Sequence, residues 1–317
     1  MSATQPARSS TRESTARREV RFASGDANCV AWHYPGSNGG CVVMAGGLGV
    51  TKEPGTDRFA ARFHDAGFTV LAFDHRHFGA SGGRPRQVAR IGEQLADWRN
   101  AIAFAGTLPG VDPGRVAAWS FSASAGHLVR VAARGAGLAA VIGQSPSVDG
   151  PATTRNAVRH QRPPVMLRMI GRGLLDALGG LLGREPLLVP LAGPPGTLAL
   201  LTTPDAVDGG RILDPDGRYP RWQQAIAARA ALTAGSYRPG RDAARVRCPL
   251  LMVVCDDDRT APIGPAVRAA RRAPRGEVLH LPGGHYAPFL DAHEQAVEGE
   301  LAFLRRHLAG TVRPITG

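Results

Sequence analysis

The chain has 317 residues, of which 43% are hydrophobic, 20% charged and 6% aromatic; these proportions exclude a disordered or collagen-like chain and supply one sizeable core. The formal net charge is +12, but Lys52 is the single lysine and no basic run exceeds two residues, so the charge is spread thin. No recognition motif accompanies it, and nucleic acid is not expected as a partner. Cys29, Cys41, Cys248 and Cys255 form no Cys-x-x-Cys pair and read as reduced, buried thiols.

Residues 1–18 are polar and lack the apolar run of a secretory signal, so a disordered leader on a cytoplasmic chain is expected, with an organellar transit peptide as the alternative. No uninterrupted apolar stretch is long enough for a membrane span. Residues 19–23 and 29–34 flank a Ser-Gly-Asp turn and predict an antiparallel hairpin. The rhythm then changes. Short apolar runs at 41–45, 69–73, 116–119 and 139–143 alternate with helical spacing at 57–66, 91–105 and 125–134. Continuous apolar runs of that length are buried parallel strands, and the alternation predicts an α/β, mostly parallel, doubly wound sheet.

The alternation stops near Ser147 and resumes with the apolar run at 249–254, leaving an insertion over residues 147–246. The expected organisation is a core in two parts, 19–146 and 247–310, a helical cap over 147–246, and a tail over 311–317. Within the cap, residues 163–183 are Leu-rich at helical spacing and a second helical stretch is predicted over 222–233. Leu167, Met169, Ile170, Leu174, Leu175 and Leu178 are more apolar residues than one packing face needs. Leu174 and Leu178 are therefore candidates to face an apolar substrate, a dimer contact being the alternative. Beyond the cap come a helix over 263–273, a strand over 277–281 and a closing helix over 293–308.

Chemistry concentrates at the carboxyl ends of the predicted strands. The segment Trp119-Ser-Phe-Ser-Ala-Ser-Ala-Gly-His127 runs from strand to helix with small residues at the junction, where a nucleophile elbow belongs. Ser122, flanked by Ser120 and Ser124, is the candidate nucleophile; Ser124, flanked by Ser122 and Gly126, is its rival. A serine needs a base oriented by a third group. Strand 249–254 leads into Cys255-Asp-Asp-Asp-Arg-Thr-Ala-Pro262, where Asp258 is the candidate acid and Asp256 and Asp257 are left to cap or solvate the loop. Strand 277–281 leads into Pro-Gly-Gly-His285, a histidine on a glycine loop and the candidate base. Residues 46–49, Gly-Gly-Leu-Gly, follow the 41–45 strand; the N–H groups of Leu48 and Ala123 are the candidate oxyanion donors.

These motifs together resemble the α/β-hydrolase superfamily, and the resemblance runs from the hairpin near Glu19 to the helix near Leu308. It implies the α/β-hydrolase fold with a helical cap insertion, with Ser122, Asp258 and His285 as nucleophile, acid and base and Leu48 and Ala123 as oxyanion donors. The stretch Phe73-Asp-His-Arg-His-Phe-Gly-Ala-Ser81 resembles the family's Asp-x-Arg-x-x-Gly-x-Ser loop, implying that Asp74, Arg76 and Gly79 are structural. Gly is usual at the positions held by Ser120 and Ser124, and His at that of Gly46.

Within the superfamily the chain is similar to capped bacterial hydrolases labelled dipeptidyl-peptidase-like or dienelactone-hydrolase-like, and to the fungal polyketide transferases. The implied activity is a serine esterase or thioesterase, with an acyltransferase or cyclase, or a non-catalytic binding protein, as alternatives. The implied partner is a small-molecule acyl substrate, free or as a carrier-protein or CoA thioester. No cofactor or metal is called for, and a homo-oligomer is left open.

Overall fold

A computed structural model of the chain describes residues 17–308; the predicted leader, apart from Arg17 and Arg18, and the predicted tail lie outside those residues. Strands β1 (Arg18–Ser24) and β2 (Ala27–Tyr34) form the expected hairpin. There follow β3 (Cys41–Ala45), α1 (Thr56–Asp65), β4 (Thr69–Phe73), α2 (Ile91–Ala105), β5 (Val116–Phe121), α3 (Ser122–Ala133) and β6 (Ala140–Gln144). The strand order is β1-β2-β4-β3-β5-β6-β9-β10, where β9 (Leu250–Cys255) and β10 (Gly276–Leu281) lie beyond the insertion. The pairings from β4 to β10 are parallel, and β2 joins β4 antiparallel. Every residue of β3, β4, β5, β6 and β9 is buried, which explains why these strands read as unbroken apolar runs.

Helices cover both faces. Phe59 and Phe63 of α1 and Val297, Leu301 and Leu304 of α9 (His293–Leu308) pack one side. Leu95 and Trp98 of α2, Leu128 of α3 and Ala266 of α8 (Ile263–Arg272) pack the other. The chain leaves β3 toward β4 on one side and β5 on the other, so the loops after β3 and β5 meet at a switch point, where α/β sheets place their sites.

Residues 147–246 contain α4 (Gly150–Val158), α5 (Pro163–Leu181), β7 (Leu188–Pro190), α6 (Gly209–Leu213), β8 (Ala225–Ala227) and α7 (Ala230–Ala234). The helix predicted over 222–233 is thus cut to its last few residues. Its first part pairs instead as a strand, β8 running antiparallel to β7 with Ile226 fully buried. The Gln87 amide donates to the carbonyls of Gln223 and Ala225 at 3.0 and 2.6 Å. Tertiary pairing here overrides the helical preference of an Ala-rich run. Among the described residues no helix is long and apolar enough to cross a membrane.

Candidate active site

Strand β5 runs to Phe121, two residues past the predicted end, and α3 starts at once with Ser122. Ser122 has φ 56°, a left-handed conformation that strains a non-glycine residue and lifts its side chain clear of strand and helix. Space for this turn depends on Gly47, where an added Cβ would lie 3.0 Å from the Phe121 ring and 3.5 Å from Ser122 Cβ. Ser122 Oγ is 3.1 Å from Nε2 of His285, whose Nδ1 is 2.7 Å from Asp258 Oδ2. The other Asp258 oxygen accepts the N–H groups of Thr260 and Ala261 at 2.8 and 2.6 Å. The side chains of His285 and Asp258 are each only 1% exposed, so solvent competes little for their hydrogen bond, whereas Ser122 is half-buried.

The structure therefore brings the three candidates Ser122, His285 and Asp258 into one hydrogen-bonded line. The rival Ser124 is buried, with Oγ accepting the Trp98 indole N–H at 3.2 Å and lying 3.5 Å from His75 Nε2. Asp256 pairs with His280 at 2.7 Å on the surface. Leu48 lies on the loop beside Ser122, and among the described residues its N–H has no hydrogen-bond partner. Ala123 opens the first turn of α3, where backbone donors are free and the helix dipole favours negative charge. Lys52 closes the loop: 2% exposed, it reaches Asp74 Oδ2 at 2.9 Å while its own backbone N–H donates to Asp74 Oδ1 at 2.7 Å. Arg76 is held by buried Asp97 at 2.7 Å, and Gly79, φ 51°, is pressed against the Asp74 carboxylate.

Several residues of this site lay beyond sequence reasoning. Asp205, in the insertion, accepts the backbone N–H groups of Arg259 at 2.9 Å and His285 at 3.2 Å, and the Thr260 hydroxyl at 2.6 Å. One carboxylate thereby ties the loop after β9 to the loop after β10. Burial pushes the Asp205 carboxyl up, but the hydrogen bonds from Thr260, Arg259 and His285 hold it below its ordinary value. Trp222, also in the insertion, donates its indole N–H to the Gly49 carbonyl at 2.9 Å. Leu191 closes over Gly49, whose φ is +69° and where an added Cβ would meet the leucine at 2.7 Å. An acidic residue and a tryptophan far from any motif give no sequence signal; only the tertiary path brings them in.

An apolar cluster that includes Phe78, Val189, Leu191 and Ile226 packs against Leu48 and Met169. Leu174 and Leu178 are not part of it; they are 51% and 59% exposed on the outer face of α5. Among the described residues no group of three or more His, Cys, Asp or Glu side chains is arranged to hold a metal ion.

The profile of the Alpha/beta hydrolase family matches residues 42–299, and the chain belongs to this family. Among individual relatives it is similar to the quorum-quenching protein AidA of Acinetobacter baumannii, 39% identical over 293 residues that cover 91% of this chain and 94% of the relative. Fungal relatives cover less. The polyketide transferase af380 of Aspergillus fumigatus is 30% identical over 57% of this chain and 59% of its own; the thiohydrolase aneE of Aspergillus aculeatus is 32% identical over 49% and 48%. The crystal structure of the alpha/beta hydrolase GrgF from Penicillium superposes with a TM-score of 0.76 at 22% identity, covering 93% of this chain and 99% of that one.

Proposed function

We propose that the chain is a serine hydrolase that cleaves an ester or thioester with an apolar acyl group through an acyl-enzyme on Ser122. His285 Nε2 takes the Ser122 proton as Oγ attacks the carbonyl carbon, and Asp258 keeps the imidazole in the tautomer that accepts it. The N–H groups of Leu48 and Ala123 hold the developing oxyanion. His285 then gives the proton to the leaving alcohol or thiol, and water attacking the acyl-enzyme returns the serine. The observation that carries this reading is the continuous line Ser122 Oγ, His285 Nε2, His285 Nδ1, Asp258 Oδ2, at 3.1 and 2.7 Å, starting from a strained serine.

The apolar cluster against Leu48 supports an apolar acyl group, and the insertion, seated on the Gly49 and His285 loops, is the lid in this reading. Fluorophosphonate labelling with peptide mapping tests the nucleophile: the adduct is expected on Ser122, and an adduct on Ser124 with Ser122 unmodified would refute the assignment. Acyl transfer is the second reading, favoured by the fungal polyketide transferase among the relatives. Turnover of p-nitrophenyl and thioester substrates with and without added alcohol separates the two; rapid transfer with negligible hydrolysis would reverse the ranking.

A further inference from the structure

Helix α5 buries one side and leaves the other bare. Gly173, Asp176 and Gly180 face the protein, where an added Cβ at Gly173 would touch Leu232 and the Asp176 carboxylate grips Arg229 at 2.7 Å. On the opposite side Leu167, Ile170, Leu174, Leu178 and Leu181 form a stripe exposed by between 47% for Ile170 and 83% for Leu181. Leu175 and Leu182 widen it. Soluble proteins rarely leave so long a contiguous aliphatic face in water.

The spacing suits a second copy of this chain as its cover. The five positions lie at −7, −4, 0, +4 and +7 from Leu174, so the stripe reads the same in both directions. Isologous pairing about a two-fold axis needs this property, because residue i must meet residue j while j meets i. We propose that α5 is a self-association surface on which two copies of this chain pair antiparallel, Leu174 against Leu174, Ile170 against Leu178 and Leu167 against Leu181. Gly171 and Ala177, three residues either side of the axis, let the backbones approach, and an added Cβ at Gly171 would meet nothing within 4 Å.

The area agrees with this occupant. The exposed stripe presents on the order of 700 Å² per copy, close to the ~800 Å² each partner contributes to a standard interface. A lipid surface fits less well, since interfacial helices carry a basic polar face opposite the apolar one, and here the opposite face is buried against the protein's own α7.

Sedimentation equilibrium of the full chain is expected to show a dimer. Leu174→Asp, which sets two carboxylates against each other on the axis, is expected to raise the dimer Kd by roughly a hundredfold or more. Leu290→Asp, at a half-exposed leucine elsewhere, is expected to leave the Kd unchanged. Circular dichroism checks that each variant folds. Cysteine crosslinking supplies a test that does not depend on the aspartate variant: Leu174→Cys should crosslink to itself on mild oxidation, and Ile170→Cys only when mixed with Leu178→Cys. A wild-type monomer at every concentration, a dimer indifferent to Leu174→Asp, or a dimer in which Leu174→Cys does not crosslink would each overturn the proposal. So would a monomer that binds phosphatidylglycerol vesicles through Leu174, which would assign the face to lipid.

Discussion

Ser120, Ser122 and Ser124 sit on alternate positions of one turn, each with a different partner. The Ser120 hydroxyl donates to the Ala45 carbonyl at 2.8 Å and so ties β5 to the end of β3, while Ser124 receives the Trp98 indole N–H. Both hydroxyls are buried and satisfied, which accounts for serine at positions where glycine is usual: small volume is required, and a polar partner is at hand. The sequence made the steric requirement legible; the partners, Trp98 and Ala45, are distant in the chain and were not. Ser124→Ala is expected to lower stability by about 1–3 kcal/mol, because the Trp98 N–H loses its acceptor in a dry site, and to keep activity within about tenfold. Ser122→Ala should lose several orders of magnitude in kcat. Ser122→Gly should be equally inactive yet more stable by about 0.5–1 kcal/mol, since glycine adopts φ 56° without strain. Urea denaturation alongside steady-state turnover separates these outcomes.

Elements were legible where their burial is carried by the local run of residues. The strands from β3 to β6 and the helices α1, α2 and α9 lie within a few residues of their predicted bounds, because each buries a face that its own periodicity marks. The pair β7 and β8 was not legible, since three residues per strand carry no period and the pairing joins segments more than thirty residues apart. Asp205 was missed for the same reason.

Asp205→Asn replaces one acceptor oxygen with a donor facing the N–H groups of Arg259 and His285 or the Thr260 hydroxyl. The expected result is a fall in kcat of about tenfold with KM less affected, and a stability loss of about 1–3 kcal/mol. The sign with pH follows from the lowered Asp205 carboxyl: its contribution is complete above the unfolded carboxylate range near pH 4 and is lost as pH falls below it. Glu300 on α9 behaves oppositely. Buried under β5, it accepts the Trp119 indole N–H at 3.1 Å, and burial raises its carboxyl well above the ordinary value. The folded chain then holds a proton that the unfolded chain releases, so stability declines as pH rises above about 4.5. Glu300→Gln removes that decline. Denaturation midpoints compared from pH 5 to pH 8 should show the variant gaining on the wild type by up to about 1.4 kcal/mol per pH unit; a gap independent of pH would rule out a buried, titrating Glu300.

At the scale of the molecule the site is an edge phenomenon: the loops after β3, β5, β9 and β10 converge at the carboxyl ends of the sheet, and the insertion braces them from above through Asp205 and Trp222. The predicted alternation of strand and helix implies parallel strands whose carboxyl ends share one edge, and Ser122, Asp258 and His285, far apart in the sequence, meet there; the strand order itself was not legible. The buried Lys52 has a different kind of consequence. As the single lysine of 317 residues, it is the one side-chain amine an acylating reagent can find, and the Asp74 clamp hides it beneath the loop that carries Leu48. Its modification rate is therefore a clock for local opening of that loop, in the manner of hydrogen exchange but read at one atom. Pulsed treatment with an N-hydroxysuccinimide ester, followed by peptide mass spectrometry, should modify Lys52 orders of magnitude more slowly in the native chain than in urea, with an added lysine-containing peptide as internal standard. Equal rates would mean that the loop is not held shut in the free protein and that the arrangement beside Ser122 forms only when a ligand arrives.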